Sequence, residues 1–177
     1  MEQDTRLLVK EFHTPLGVMT AGTTNNGLCL LDFKSTRSEA SIKELEKIYG
    51  TKAVEGSNDY TVIAEKELNE YLNNQRREFT VRLDTPGTEF QQKVWNGLKL
   101  IPFGQTITYE KYTAKLEIPL AIRAVAHAIA SNRILILVPC HRVVGKGGSL
   151  RGYAGGLDRK RKLLDLECGG SLFSLEE

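Results

Sequence analysis

The sequence changes character at Asp84-Thr85-Pro86-Gly87, and this break limits what the chain can build. Before it, short apolar and β-branched runs alternate with turn residues; after it, helical patterns dominate. Pro86 fixes its own φ and Gly87 relaxes the next residue, so a regular element is interrupted there. The formal charge reverses at the same place. Residues 1–84 carry 11 Lys/Arg against 14 Asp/Glu, or −3, whereas residues 85–168 carry 13 against 6, or +7. We therefore expect an α+β chain of two domains, 1–84 and 85–168, followed by a tail over 169–177. A chain of 177 residues is long enough for two small cores.

In the first domain, residues 7–12, 17–21 and 27–33 read as strands. Pro15-Leu16-Gly17 and Asn25-Asn26-Gly27 separate them, the second being a strong hairpin signal. Helices are expected over 39–49 and 60–73, where Val62, Leu68 and Tyr71 recur near helical spacing, and 79–83 is expected to return as a strand. In the second domain Thr88 caps a helix to Leu98, with Phe90, Val94, Trp95 and Leu98 on one face. Thr108 caps a short helix to Lys115, Glu117-Ile118-Pro119 turns the chain, and a second, alanine-rich helix follows over 120–130. This is the outline of a helix-turn-helix. Ile122, Val125, Ala126 and Ile129 form its core-facing stripe, leaving Arg123 and His127 on another face. Small Ala124 and Ala128 would let the backbone approach another molecule. Residues 134–138 are all apolar and read as a buried strand ended by Pro139. A glycine-rich loop over 145–156 leads to a terminal helix over 158–167.

The chemistry concentrates at Pro139-Cys140-His141-Arg142. A cysteine at the end of a buried segment, beside a base and a cation, is placed to act as a thiolate nucleophile. On an extended strand adjacent side chains face opposite ways, so His141 needs either a bend after Pro139 or a bridging water to take the thiol proton. The imidazole needs an orienting acid, and Glu167 is the candidate. The three cysteines, Cys29, Cys140 and Cys168, show no CxxC spacing, which argues against a disulfide framework or a thiolate zinc site. Residues 1–84 hold only Cys29 and His13, so we expect no metal. Gly145-Lys146-Gly147-Gly148 lacks phosphate-loop spacing. The basic second half points to a polyanion such as nucleic acid. No apolar run is long enough for a bilayer, and residues 1–10 lack a signal peptide's apolar core. A cytoplasmic location follows, or a nuclear one in a eukaryote.

Residues 136–144, with Pro139-Cys140-His141-Arg142 at their centre, resemble the active-site signature of the methylated-DNA–protein-cysteine methyltransferases, the O6-alkylguanine-DNA alkyltransferases. Phe90-Gln91-Gln92-Lys93-Val94-Trp95, Ile101-Pro102-Phe103-Gly104, Thr108-Tyr109, the stretch from Arg123 to Asn132, and Gly152-Tyr153-Ala154-Gly155-Gly156-Leu157 extend the resemblance over 88–167. Residues 1–84 resemble the family's ribonuclease-H-like N-terminal domain more loosely. The resemblance implies an irreversible transfer of an alkyl group, chiefly methyl, from O6 of guanine in duplex DNA to Cys140, and leaves O4 of thymine open as a second target. It implies that His141 activates Cys140 through a water, that Glu167 holds His141, and that Asn132 braces the helix-turn-helix against the active-site segment. Tyr109 would donate to the guanine ring, and Arg123 would fill the gap left by the flipped nucleotide. The carbonyls of Cys140 and Val143 would accept from the guanine amino group. Tyr153 and Ala154 would line the pocket, with Lys160 supporting it. Thr108, Tyr109, Arg123 and Ala124 would meet the minor groove of double-stranded DNA. No cofactor is implied, since the damaged DNA is the donor, and the protein is expected to act as a monomer away from membranes. Some family members carry an N-terminal zinc, which Cys29 and His13 cannot supply, and the absence of a cysteine-rich extension implies no transcriptional role. Arg133 stands where several members have proline. Two competitors remain. One is a lesion-binding module of the alkyltransferase-like kind, which Cys140 argues against. The other is a Cys140-His141-Glu167 hydrolase, which would turn over repeatedly.

Overall fold

A computed structural model describes residues 4–170 and Leu172. Of the expected tail, residue 171 and residues 173–177 lie outside the described residues, as do residues 1–3 at the other end. The chain divides into two compact units, one ending at Pro86 and the other beginning at Gly87.

The first unit is built on a sheet of β1 (Leu7–Thr14), β2 (Gly17–Thr24), β3 (Gly27–Phe33) and β4 (Ala53–Glu55), in the order β3-β2-β1-β4. Consecutive strands β1, β2 and β3 pair antiparallel through two-residue turns, and β4 joins β1 parallel. The second turn is Asn25-Asn26, and Gly27 after it has φ 148°. A Cβ there would stand 2.6 Å from the Arg82 carbonyl oxygen, so only glycine lets the 82–84 segment dock on β3. Helix α1 (Thr36–Tyr49) crosses from β3 to β4, capped by Ser35 with Ser38 in a reciprocal box and ended by Gly50 at φ 64°. Helix α2 (Asp59–Leu72) uses Asn58 and Thr61 in the same way. Leu7, Cys29, Leu30 and Leu45 form one buried cluster between sheet and helix, so Cys29 is a core residue.

Two expectations in this unit need revision. Residues 79–83 do not form a strand; only Leu83 bridges Leu28. The buried Glu67 carboxylate takes the donors a ladder would have used, accepting from Thr80 N at 2.9 Å and Val81 N at 3.2 Å, and from the Thr80 hydroxyl. Strand β4 has three residues and no alternating pattern, so nothing local announced it.

The second unit contains α3 (Glu89–Leu98), β5 (Ile107–Thr108), α4 (Tyr109–Lys115), α5 (Ile122–Ala130), a 3-10 turn at Cys140–Arg142, β6 (Val143–Val144), a second 3-10 turn at Lys146–Gly148, and α6 (Leu157–Glu167). Strand β6 pairs parallel with β5. Thr88 caps α3 in a reciprocal box with Gln91, and Thr108 caps α4 through Lys111 N. Trp95 is buried and its indole N–H donates to the Ala128 carbonyl at 2.9 Å, joining α3 to α5. Tyr112 is buried as well, with its hydroxyl donating to the Val94 carbonyl, which joins α4 to α3. Gly97 makes this approach possible: a Cβ would stand 2.5 Å from the Tyr112 hydroxyl oxygen and 2.9 Å from Leu116 Cδ2. Gly97→Ala is therefore expected to destabilise the chain by about 1–3 kcal/mol through overpacking. A urea titration reads it, and an unchanged midpoint would contradict this packing.

Here too the structure corrects the sequence reading. Residues 134–138 are buried but form a tight turn, not a strand. Ile136 has φ 73°, Leu137 N donates to Leu135 O at 2.8 Å, and Val138 N donates to Ile134 O at 3.1 Å. An apolar run of this length reports burial and not conformation. Helix α5 is also rolled from the expected stripe. Val125, Ala128 and Ile129 are buried, while Ile122 is exposed and Ala126 half-buried. Ala128 thus faces the core and not another molecule; Arg123, Ala124 and His127 are exposed.

Candidate active site

Asn132 follows α5 and is buried, where an unpaired amide would be costly. Its Oδ1 accepts from Ile134 N at 2.9 Å, and its Nδ2 donates to Val138 O at 3.0 Å, so it closes both ends of the apolar turn. The same Nδ2 lies 3.3 Å from Cys140 Sγ. The sulfur is thereby tied to the end of the helix-turn-helix. Pro139, at φ −80° and ψ 62°, swings the chain out of the apolar turn, and Cys140 opens the 3-10 turn with 5% of its surface exposed.

The 3-10 turn removes the geometric obstacle that an extended strand posed, because Cys140 and His141 no longer alternate across a sheet. His141 is fully buried, with Nε2 2.8 Å from Glu167 Oε1. Its other nitrogen, Nδ1, is buried without a hydrogen-bond partner among the described residues. Glu167, on the last turn of α6, is buried rather than solvated. It also accepts from Gly104 N at 3.3 Å.

Arg142 has a different place from the one its sequence position suggested. Its guanidinium is not a free charge beside the thiol. Nε lies 3.0 Å from Glu167 Oε2, Nη2 lies 2.8 Å from Glu167 Oε1, and Nη1 donates to the Ile101 carbonyl at 2.6 Å. The Phe103 ring stands 5.9 Å from its Cζ. Arg142 thus locks the carboxylate that orients His141. This role was missed; only the spacing of Arg142 and Glu167 in space reveals it.

Burial, with the cations Arg142 and Lys160 nearby, holds the His141 imidazole below its ordinary pKa, although Glu167 pulls the other way. Glu167 is already balanced by the two-pronged Arg142 contact, which weakens its hold on a second proton, so burial decides the direction. His141 is then neutral near pH 7 and able to accept a proton. Between the folded pKa and about 6.5 the unfolded chain binds a proton that the folded chain does not. Stability from this residue is complete above about pH 6.5 and falls as pH drops toward the lower folded value. His141→Asn should flatten that acidic slope in urea titrations between pH 7 and 5; an unchanged slope would place the titration elsewhere.

Lys160 reaches from α6 to donate to three carbonyls: Val143 at 2.7 Å, Arg151 at 2.9 Å and Gly152 at 3.3 Å. It is fully buried, and burial lowers its pKa against the opposing pull of Cys140. The resemblance gave it a supporting role without geometry; the contacts define it as the anchor of the glycine-rich loop. Tyr109, at the start of α4, donates its hydroxyl to the Arg151 carbonyl at 3.3 Å. Burial and then the charge of Cys140 raise its phenol pKa, so it keeps its proton. The Cys140 carbonyl accepts from Val143 N, and the Val143 carbonyl accepts from Lys160 Nζ at 2.7 Å. Tyr153 is half-buried with its ring centroid 6.4 Å from that of His141, and Ala154 is exposed in the adjoining turn. The Thr108 hydroxyl oxygen accepts from Lys111 N at 3.2 Å.

A thiol held by an amide, followed by a buried His-Glu-Arg cluster and preceded by two short helices joined by a turn, is an arrangement suited to cysteine chemistry. Two family models match the chain. The one described as 6-O-methylguanine DNA methyltransferase, DNA binding domain, matches residues 89–169, and the one described as 6-O-methylguanine DNA methyltransferase, ribonuclease-like domain, matches residues 8–85. The chain belongs to this 6-O-methylguanine DNA methyltransferase family. It is 38% identical over 156 residues to the methylated-DNA--protein-cysteine methyltransferase of Methanosarcina acetivorans, covering 88% of this chain and 95% of that protein. It is 52% identical over 101 residues to the inducible methylated-DNA--protein-cysteine methyltransferase of Bacillus subtilis. That match covers 57% of this chain and 56% of the relative, little more than half its length. Among solved structures, the Mycobacterium tuberculosis OGT in complex with DNA superposes with a TM-score of 0.77 at 35% identity, covering 93% of this chain and 94% of that one. No helix among the described residues is long and apolar enough to cross a membrane.

Proposed function

We propose that this chain repairs DNA by direct reversal, moving an alkyl group, chiefly methyl, from O6 of guanine in duplex DNA onto Cys140 in a single turnover. The observation that carries this reading is the pairing of Asn132 with Cys140 beside the His141–Glu167–Arg142 cluster, with Asn132 directly after the second helix of the helix-turn-helix, Cys140 to Arg142 in one 3-10 turn and Glu167 on α6. The lesion lies inside a duplex, so the nucleotide is flipped out at a cost of a few kcal/mol. Arg123, exposed on α5, fills the gap in the base stack, with Ala124, Thr108 and Tyr109 against the minor groove. The thiol proton passes through a water to His141 Nδ1, and Glu167 steadies the resulting imidazolium. Cys140 Sγ attacks the alkyl carbon, the carbon–oxygen bond breaks, and its electron pair stays with guanine O6. Tyr109 keeps its proton and donates a hydrogen bond to the guanine ring, which stabilises the negative charge developing there and makes guanine a better leaving group. The thioether left on Cys140 has no route to hydrolysis, so each molecule acts once. The carbonyls of Cys140 and Val143, with Tyr153 and Ala154, hold the base while Lys160 holds the loop. No cofactor takes part. We place the protein in the cytoplasm, as a monomer on DNA.

Mass spectrometry after mixing with duplex DNA containing O6-methylguanine tests the reading. One methyl per protein, on Cys140, is expected. Multiple turnovers, as a hydrolase would give, or a methyl on another residue would overturn it. Arg123→Ala should slow repair in the duplex far more than reaction with the free base O6-methylguanine, and equal losses would remove the stack-filling role.

A further inference from the structure

We propose that the glycine-rich loop of residues 145–156 is a second DNA contact, in which Arg151, with Lys146 beside it, grips the phosphates flanking the flipped nucleotide. The inference rests on the function proposed above and adds to the recognition helix a grip that neither the motifs nor the comparisons assign.

The backbone of Arg151 is pinned at the rim of the reacting centre. Its carbonyl accepts from Lys160 Nζ at 2.9 Å and from the Tyr109 hydroxyl at 3.3 Å. The same Lys160 ammonium holds the carbonyl of Val143, the residue that follows the Cys140–Arg142 turn. With the carbonyl committed inward, the Arg151 side chain is exposed. It passes over Gly145, where a Cβ would stand 3.1 Å from Arg151 Cδ and 2.3 Å from Ser149 Oγ. Gly145 N donates to Ser149 O at 2.7 Å, closing the loop beneath that side chain. Lys146 follows directly and is exposed too. Two cations therefore stand on adjoining parts of one loop. Among the described residues neither is in an ion pair.

Two cations on one short loop add to a positive potential that an anion relieves. A base inserted toward Cys140 remains covalently attached to its sugar and two phosphates, which must pass the rim. Arginine suits that position because its planar fork binds phosphate oxygens in pairs. The grip reads no sequence, which fits a lesion that can arise beside any neighbour.

The test separates backbone from side chain, since Arg151→Ala keeps the carbonyl that Lys160 and Tyr109 hold. Binding to a duplex containing O6-methylguanine is measured against salt in a Cys140→Ser background, so that the lesion is not consumed. Arg151→Ala should flatten the slope of log K against log salt by about 0.9, the loss of one phosphate contact. Arg151→Lys should retain the slope. In the Cys140 protein, Arg151→Ala should react with the free base O6-methylguanine at the wild-type rate. An unchanged slope in the alanine variant, or an alanine-like slope in the lysine variant, overturns the phosphate grip while leaving repair intact. A parallel loss with the free base assigns the side chain to the pocket and overturns the grip as well. Failure of the unsubstituted protein to take up methyl from duplex DNA removes the underlying function and this proposal together.

Discussion

Glu167→Gln is expected to slow alkyl transfer by about a hundred- to ten-thousand-fold, the range spanned by positioned acid–base catalysis. The carboxylate contacts His141 Nε2 at 2.8 Å, and its charge matters most when the imidazole has taken the Cys140 proton. Glutamine keeps the shape but not the charge, so the imidazolium forms at greater cost. A second effect accompanies the first. Arg142 directs Nε and Nη2 at this carboxylate, and both partners are buried. Removing one member of such a pair strands the other charge, at a cost of about 3–5 kcal/mol. Single-turnover rates with a methylated duplex read the first effect, and urea unfolding reads the second. Near-normal rates would show that His141 works without Glu167. Normal stability with a slow rate would show that Arg142 finds another partner.

Lys160→Met is expected to lower stability by about 3 kcal/mol or more, because carbonyls that shared one buried ammonium lose a charge-assisted donor. The offset is that methionine has no charge to desolvate, which recovers part of the loss. The loop should suffer more than the core. Arg151 and Gly152 are held by Lys160, and so is Val143 at the end of the active-site turn. Hydrogen exchange over 145–156 should accelerate well beyond that of α3, and transfer from the free base should fall with it. Uniform exchange across the unit would mean that the loop is held by its own turns.

The two effects differ in how far they were visible beforehand. Thr88 and Thr108 cap their helices through bonds to residues three positions away, so cap chemistry is local and readable. The strands β1, β2 and β3 followed from turn residues for the same reason. Cys140 and His141 stand out as candidates because they are adjacent, and the His141–Glu167 contact was anticipated because the imidazole needs an acid and the resemblance points to the same residue. The Arg142–Glu167 lock was not, since 25 positions separate the partners and only the docking of α6 brings them together. The turn at 134–138 escaped because its ends are closed by the Asn132 side chain, which no periodicity encodes. Residues 79–83 escaped likewise, their backbone donors being taken by Glu67 on α2.

By itself the order of residues determined the division near Pro86, the approximate spans of the helices, the Thr88 and Thr108 caps, the first three strands and Cys140 as the candidate nucleophile. Each of these depends on neighbours a few positions apart, where backbone preference and local hydrogen bonding decide the outcome. Tertiary structure decided which charges are spent and which remain free: Arg142 inward on Glu167, Lys160 inward on three carbonyls, Arg123 and Arg151 outward. Buried polar groups must find partners wherever the fold presents them, and that requirement acts through space rather than along the chain.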